Sequence, residues 1–221
     1  MRSFFKPLCA VLVPFLLAGC AVNPATGDRQ FTALMSPGQE SSIGAQEHGK
    51  ILRQFGGLVE DSTLQAYVGG VGNRLVANTE RPDVVYQFFV LDSPVINAFA
   101  LPGGYVYVTR GLLAVAGSEA ELASVLAHEI GHITARHAAE RYSHGVVTSL
   151  GAAILAAALD SKSAAQALGV GSDLYISSYS RKQESQSDEL GIRYLHRAGY
   201  DPAAMASFLT ALGRTTAFEN Q

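Results

Sequence analysis

The stretch His128-Glu129-Ile130-Gly131-His132 decides how this sequence of 221 residues is interpreted. It lies in a segment that we predict to be helical, with Ser118 as the N-cap. Successive residues of an α-helix are rotated by about 100°, so His128 and His132 lie about 40° apart on one face. Two imidazoles on one face can bind one metal ion, and Glu129 lies beside that face, where it can act as a general base on water. The pattern therefore indicates a metal site with an adjacent base.

A third ligand has to come from elsewhere, because a catalytic zinc ion of this kind takes three protein ligands and keeps one position open. Glu184 is the best candidate, since it lies on a predicted helix over residues 180–198 with Asp188 one turn later on the same face. The Asp188 carboxylate can accept the N–H of a ligating imidazole and fix its tautomer. His137 is less suitable, because a helix that continues past Arg136 turns it about 140° away from His132.

Other interpretations of these residues stay open. The histidine pair could be a surface feature of a core helix, and the acidic residues Glu184, Asp188 and Glu189 could form an exposed helix face. His144 could become a ligand if the helix breaks near Tyr142. The remaining histidines, at positions 48 and 196, are further candidates.

The N-terminus has the layout of a secretory signal peptide. Basic residues precede the apolar run Leu8–Ala18, which is shorter than the roughly 20 residues that a helix needs to cross a bilayer. The stretch Leu17-Ala18-Gly19-Cys20 resembles the lipobox of bacterial lipoproteins, whose cysteine is acylated and becomes the new N-terminus. We therefore expect a signal peptide over residues 1–19, lipid on Cys20, and a lipidated tether over residues 20–35.

Composition excludes several classes of protein. With only two cysteines, at positions 9 and 20, the chain is not a disulfide-rich scaffold. A net charge of −3 does not fit a nucleic-acid-binding surface. Ala21, rather than an aspartate, follows Cys20, and by analogy such lipoproteins reach the outer membrane. We expect a lipid-anchored protein of the bacterial cell envelope that faces the periplasm.

Helical periodicity, strand-forming runs and turn residues predict an α+β fold, mostly α, with a small sheet packed on the helix that carries the metal motif. The predicted elements are, in order, a helix from Ser36-Pro37 to about Phe55, a helix from Asp61 or Ser62 to about Leu75, strands over 84–91, 95–101 and 105–109 with a turn at 102–104, the helix from Ser118, the helix over 180–198, and a helix from Asp201-Pro202 to about Leu212. The apolar segment 145–159 is interpreted as a buried or partly buried helix, with a membrane-dipping segment as the alternative.

Three stretches, in this order, resemble the HtpX/CAAX-prenyl-protease type of zinc metallopeptidases, which are gluzincins. They are residues 97–113, with Asn97-Ala98-Phe99-Ala100-Leu101-Pro102-Gly103-Gly104-Tyr105; residues 119–137 around the histidine motif; and residues 180–188, which match R-x-x-E-x-x-A-D except that Ser187 replaces the alanine. The resemblance is stronger to periplasmic and outer-membrane members with an Oma-type catalytic domain, and it covers about residues 36–212.

The resemblance implies a zincin-like fold and a role for each matching residue. His128, His132 and Glu184 would bind one Zn²⁺ per chain. Glu129 would be the base and proton shuttle, and Asp188 would orient a ligating imidazole.

The resemblance also points to a substrate-binding strand. Asn97 would help to bind substrate or stabilise the developing oxyanion. Tyr105, Val106 and Tyr107 would belong to an edge strand over 105–109 that an extended substrate joins as an added strand. A purely structural hairpin over 97–111 is the simpler alternative.

The expected function is a zinc-dependent metalloendopeptidase that hydrolyses misfolded or misassembled envelope proteins, with residues 36–221 as its catalytic domain. The family carries a further histidine downstream of the third ligand, in a Thr-His-Pro-like segment. Here the only later histidine is His196, and the sequence stops at Gln221. We therefore expect either a truncated reading frame or a protein without that group. A chaperone-like or scaffolding lipoprotein with a latent or structural zinc site is the alternative, and no nucleic-acid partner is expected.

Overall fold

The computed structural model describes residues 20–158 and 179–219, so the expected signal peptide lies outside the described residues. The strands are β1 (Cys20–Val22), β2 (Arg29–Phe31), β3 (Gln87–Leu91), β4 (Ala98–Leu101) and β5 (Tyr105–Thr109). The helices are α1 (Pro37–Gln54), α2 (Ser62–Val76), α3 (Arg110–Val115), α4 (Glu119–Thr134), α5 (His137–Ala158), α6 (Arg181–Arg197) and α7 (Ala203–Glu219). The predicted fold class, α+β and mostly α, is confirmed.

Capping residues set the helix starts, as the sequence predicts. Ser36 forms a capping box with Gln39 at the start of α1. The Asp61 side chain accepts the first free N–H groups of α2, and Ser118 does the same for α4. Helix α6 begins with a second capping box, between Ser180 and Gln183, so Glu184 lies in its first turn, where a negative charge is favourable.

The order of the main sheet corrects one prediction. Strand β5 lies in the middle, parallel to β3 and antiparallel to β4, so Tyr105, Val106 and Tyr107 do not belong to an edge strand. Both sides of β5 already form backbone hydrogen bonds, and Val106 and Tyr107 are fully buried. In the part of the chain that the structure describes, β4 is an edge strand, and it begins directly after Asn97.

Helix α4 lies at the centre of the molecule. Most of its apolar residues are buried, and Leu126 and Ile130 are fully so. Helices α2, α6 and α7 and the sheet strands β4 and β5 all pack against it. The histidine motif is therefore carried by the element that the rest of the fold holds most firmly.

The expected tether over residues 20–35 is instead packed on the protein. Strands β1 and β2 pair antiparallel, and the turn between them holds the buried side chain of Asn23. The Asn23 amide donates to the carbonyl oxygens of Thr134 and Ala135, at 3.3 and 3.0 Å, and so satisfies acceptors at the C-terminus of α4. The prediction of a tether is wrong for residues 23–35, because a stretch rich in Pro, Gly and Asn can also form a tight, buried turn.

The motif helix ends earlier than predicted. Arg136 has φ 57°, a left-handed conformation that stops α4 after Thr134 and lets α5 start in a new direction. The Arg136 side chain holds this break, since Nε donates to Glu40 at 3.1 Å and Nη2 donates to the Met35 carbonyl oxygen at 2.6 Å. The buried Glu40 carboxylate also accepts from Arg81 at 3.0 Å, so it balances its burial with two guanidinium groups.

The apolar segment 145–159 falls mostly in α5, but its described side chains are not buried throughout. Val147 and Leu150 are 37% and 57% exposed, so of the predicted buried or partly buried helix the partly buried form is the one that the described residues show. No helix within the described ranges has the length and hydropathy to cross a membrane.

Candidate metal centre

Three side chains from α4 and α6 converge on one point. Nε2 of His128 and Nε2 of His132 lie 3.1 Å apart. Oε2 of Glu184 lies 3.3 Å from the His128 nitrogen and 3.9 Å from the His132 nitrogen. Of the residues described, these three form a group of His and carboxylate ligands that could hold a metal ion, with one ligand atom each inside a span of 4.8 Å.

Close packing between α4 and α6 brings Glu184 to the histidines. A side chain at Gly131 would clash with Ser187, because a Cβ there would lie 2.8 Å from Ser187 Oγ and 2.9 Å from its carbonyl oxygen. The fully buried Ser187 hydroxyl donates to the His128 carbonyl oxygen at 2.8 Å. The serine that replaces the expected alanine thus links the two helices at the level of the motif.

The hydrogen bonds around His128 fit a metal site. Asp188 Oδ1 lies 2.9 Å from His128 Nδ1, and a carboxylate can only accept, so Nδ1 carries the proton. In the neutral ring Nε2 then carries a lone pair that points at the Glu184 carboxylate and at His132. A lone pair and a carboxylate that face each other need a positively charged species between them. Two imidazoles with one carboxylate are a ligand set that zinc takes in peptidases.

Glu129 lies beside this cluster in a buried position. Its side chain has only 9% of its surface exposed, and burial raises its pKa to about 7, with the negative charge of Glu184 acting in the same direction and His128 against it. A carboxyl group whose pKa is close to neutrality is suited to take up and release a proton at physiological pH.

His132 and His137 lie in contact, which corrects the expectation that His137 faces away. Their Nδ1 atoms are 2.8 Å apart, because the break at Arg136 turns the first residue of α5 back toward α4. Burial is the main cause that lowers the pKa of both rings, that of His137 to about 4. Both histidines therefore stay neutral at physiological pH, as metal ligation of His132 requires.

Sequence reasoning missed Tyr179. Its ring stacks on the His132 ring, with centroids 3.9 Å apart and planes 16° from parallel. The Arg141 guanidinium lies over the Tyr179 ring, 4.7 Å from the ring centroid. Tyr179 thus holds the imidazole in place by stacking. The residue directly precedes Ser180, the N-cap of α6, and a single aromatic residue outside a helix or strand has no periodicity that would identify it.

A cleft of about 380 Å³ opens beside the cluster. His128, Glu129, Glu184 and Asp188 lie in its wall, together with Asn97. Its apolar lining includes Leu112, Val125, Met205, Phe208, Leu209 and Leu212. The cleft brings Asn97 near the candidate metal site, whereas the residues predicted with it on β5 are absent from the lining.

The other candidate histidines lie elsewhere. His48 Nδ1 is 2.8 Å from the Tyr107 hydroxyl, and the His144 ring lies against Phe31, with centroids 5.8 Å apart. Neither belongs to the ligand group found in the described ranges, and nor does His196.

Comparison with known proteins identifies the family. The model of Peptidase family M48 matches residues 62–218. The chain is 33% identical over 229 residues to the Beta-barrel assembly-enhancing protease of Escherichia coli strain K12, which covers 96% of this chain and 47% of that protein. It is 31% identical over 167 residues to the Mitochondrial metalloendopeptidase OMA1 of Schizosaccharomyces pombe, which covers 75% of this chain and 49% of that protein.

A similar protein from Vibrio cholerae, a Putative beta-barrel assembly-enhancing protease, is 37% identical over 172 residues, which cover 74% of this chain and 36% of that protein. The chain thus spans about half the length of the curated relatives it matches, or less. The match to the family covers both α4 and α6, which carry the converging side chains. The predicted membership among Oma-type metallopeptidases is confirmed: the chain belongs to peptidase family M48.

Proposed function

We propose that this chain is a zinc-dependent metalloendopeptidase in which His128, His132 and Glu184 bind one Zn²⁺. The observation that carries the proposal is the convergence of their three ligand atoms beside the buried carboxyl group of Glu129, on the wall of an accessible cleft. Zinc in a structural site is almost always held by four protein ligands, whereas a catalytic ion keeps one position open. Within the described residues the ligand group has three members, which supports a catalytic site over a structural one.

Zinc, when bound, supplies a Lewis acid for the peptide carbonyl group and acidifies water at the site. The residues of the chain supply proton transfer and orientation. Glu129 takes a proton from the attacking water and passes it to the amine that leaves. Asp188 accepts the Nδ1 proton of His128 and so keeps Nε2 of that ring directed at the ligand group.

The cleft supports an extended peptide as substrate. Strand β4 begins directly after Asn97, on the cleft wall, and it has a free side in the described part of the sheet. A substrate backbone can pair with such an edge, while an adjacent side chain enters the pocket between α4 and α7. Because that pocket is lined by Val125, Phe208 and other apolar groups, we expect cleavage next to large apolar side chains, which unfolded proteins expose.

We further propose that the protein acts at the bacterial cell envelope, anchored by lipid on Cys20 after removal of residues 1–19 and facing the periplasm from the outer membrane. The lipobox-like stretch that ends at Cys20 supports the anchor. The relatives from Escherichia coli and Vibrio cholerae bear names that refer to β-barrel assembly, which supports misfolded or misassembled envelope proteins as substrates.

The replacement Glu129→Gln tests the peptidase. The amide keeps the shape of the side chain but cannot accept and release the proton, so we expect casein cleavage by the zinc-loaded chain to fall about 100- to 10,000-fold while one zinc ion still binds. Glu189→Gln, an exposed change on α6, is the control and should leave the rate unchanged. A Glu129→Gln chain that cleaves casein at the normal rate would contradict the proposal.

The alternative, a chaperone-like or scaffolding lipoprotein, predicts a different result in the same experiment. It requires zinc that is held by four protein ligands, with no cleavage of any unfolded substrate. X-ray absorption spectroscopy of the zinc-loaded chain distinguishes the two, since our proposal requires three protein ligands and one water.

The anchor has a separate test. Cys20→Ser removes the sulfur that would carry the lipid, so we expect the protein to move from the membrane fraction to the soluble periplasmic fraction. Retention of Cys20→Ser in the membrane fraction would contradict the lipid anchor and would point to the exposed apolar residues of α5.

A further inference from the structure

A chain of hydrogen bonds leads from the candidate metal centre to the N-terminal turn. The His132 and His137 Nδ1 atoms are 2.8 Å apart, and His137 Nε2 lies 3.0 Å from Gln186 Oε1. Gln186 Nε2 in turn donates to Asp28 Oδ2 at 2.7 Å, and Asp28 also pairs with Lys182 at 2.8 Å. Only His132 belongs to the proposed ligand set, so the function proposed above does not explain the other members.

The Asp28 carboxylate fixes the direction of this chain. A carboxylate only accepts hydrogen bonds, so it must face the NH₂ end of the Gln186 amide. The amide oxygen then points at His137, and an amide oxygen also only accepts. His137 Nε2 must therefore carry a proton and donate it to Gln186.

Burial determines how many protons the His137 ring holds. His137 has none of its surface exposed, and a charged imidazolium in such a place is costly, so the ring holds a single proton, the one on Nε2. Its Nδ1 is then an acceptor. The contact at 2.8 Å with His132 is a hydrogen bond only if His132 Nδ1 carries the proton, and this leaves His132 Nε2 with a lone pair toward His128 and Glu184.

We propose that His137 is a positioning residue that, held by Gln186 and Asp28, fixes His132 in the tautomer whose Nε2 can bind the metal. The proposal rests on the metal site of the proposed function, but not on the reaction or the substrate. The two metal-binding histidines are thereby oriented differently, His128 by a carboxylate and His132 by a neutral ring. The neutral ring adds no negative charge on the buried side of the site, where Glu129 already lies.

The N-terminal turn becomes part of the metal centre in this arrangement. Asp28 lies between β1 and β2, far from the motif in sequence, and reaches it through α6. The docking of this turn on α6 therefore orients a metal ligand as well as stabilising the fold.

The tautomer of His132 can be measured directly. In the metal-free full chain labelled with ¹⁵N-histidine, long-range ¹H–¹⁵N correlation spectra distinguish a ring protonated at Nδ1 from one protonated at Nε2, and the His132→Asn chain identifies the signals. We expect His132 to be protonated at Nδ1 and His137 at Nε2 at pH 7.5. A His132 ring protonated at Nε2 would overturn the proposal, whatever the chain does to casein.

Zinc affinity gives the second test, measured by competition with a fluorescent chelator. His137→Phe fills the buried space without an acceptor, and we expect zinc affinity to fall about 10- to 100-fold. His137→Asn keeps an acceptor near the position of Nδ1 and should recover most of that affinity. Circular dichroism checks that both chains fold, and Glu189→Gln serves as the unchanged control. Equal affinities of folded His137→Phe and wild type would overturn the proposal, and so would a His137→Asn chain as weak as His137→Phe.

Discussion

The carboxylate of Asp188 influences the candidate metal site although it is not one of the proposed ligands. It lies 2.9 Å from His128 Nδ1 and is half exposed, so its effect on the site comes through the hydrogen bond rather than through burial. A hydrogen-bond partner of this kind fixes the orientation of the imidazole ring and raises the basicity of the nitrogen that binds the metal.

Replacing Asp188 should separate these two effects. We expect Asp188→Ala to weaken zinc binding about 10- to 100-fold, and Asp188→Asn, which can still accept the N–H bond but has no charge, to weaken it less. Chelator competition at pH 7.5 measures both affinities, with Glu189→Gln on the same helix as the control. Equal losses in the two variants would show that only the charge matters.

At the residue scale, the sequence identifies the side chains that lie on regular helix faces. His128 and His132 are i and i+4 on α4, and Glu184 and Asp188 are i and i+4 on α6, so their spacing suffices to predict which way they point. The position of His137 depends on a left-handed Arg136, a conformation that is rare for a residue other than glycine and has no signature in the sequence.

At the scale of elements, the site depends on how closely α6 approaches α4. Gly131 and Ser187 form the contact, and the Ser187 hydroxyl bonds to the backbone of His128. Any change that separates the two helices also moves Glu184 away from the histidines. The geometry of the site therefore depends on the contact between α4 and α6 as well as on the ligands themselves.

The substitution Gly131→Ala tests that dependence. The added methyl group would lie 2.8–2.9 Å from Ser187, so α6 has to shift, and we expect unfolding in urea to show a loss of about 1–3 kcal/mol together with weaker zinc binding. Gly151→Ala on α5 is the matched control, because its methyl group meets nothing within 4 Å and should stabilise the helix by up to about 1 kcal/mol. A Gly131→Ala chain with unchanged zinc affinity would contradict the argument.

The main sheet contains one strand pairing that the sequence predicts and one that it does not. The turn at 102–104 correctly predicts that β4 and β5 pair as a hairpin. It contains no information about β3, which precedes β4 in the chain and joins the other side of β5 in parallel. The continuous apolar run of β5 is typical of a strand buried on both faces, and that signal favours a central position over an edge.

At the scale of the whole molecule, the fold class follows from the sequence, whereas the role of the N-terminal residues does not. Composition indicates a linker over 20–35, yet Asn23 bonds to the C-terminal end of α4 and Asp28 to α6. Such long-range contacts have no local pattern. They are visible only once the helices that receive them are in place.

The buried titratable groups of the site should determine how stability depends on pH in the metal-free chain. His132 and His137 have pKa values lowered from 6.5 in the folded state, so below pH 6.5 the unfolded chain binds more protons there and the fold loses stability as the pH falls. Glu129 acts in the opposite sense. Its pKa is raised from 4.5 to about 7, so its contribution to stability is fully present below pH 4.5 and is lost as the pH rises through 7.

Between pH 4.5 and 6.5, two histidines that destabilise the fold on acidification thus oppose one glutamate that stabilises it. We expect the free energy of unfolding, from urea titrations in EDTA, to fall as the pH decreases through this range. Glu129→Gln removes the opposing group, so its slope should be steeper by about 1.4 kcal/mol for each pH unit, the value for one proton. His48, whose pKa is also lowered by burial, and the other carboxylates contribute equally to both chains. Parallel curves for the two chains would mean that Glu129 keeps an ordinary pKa in the folded, metal-free chain. Burial would then not explain proton transfer by Glu129 near neutral pH.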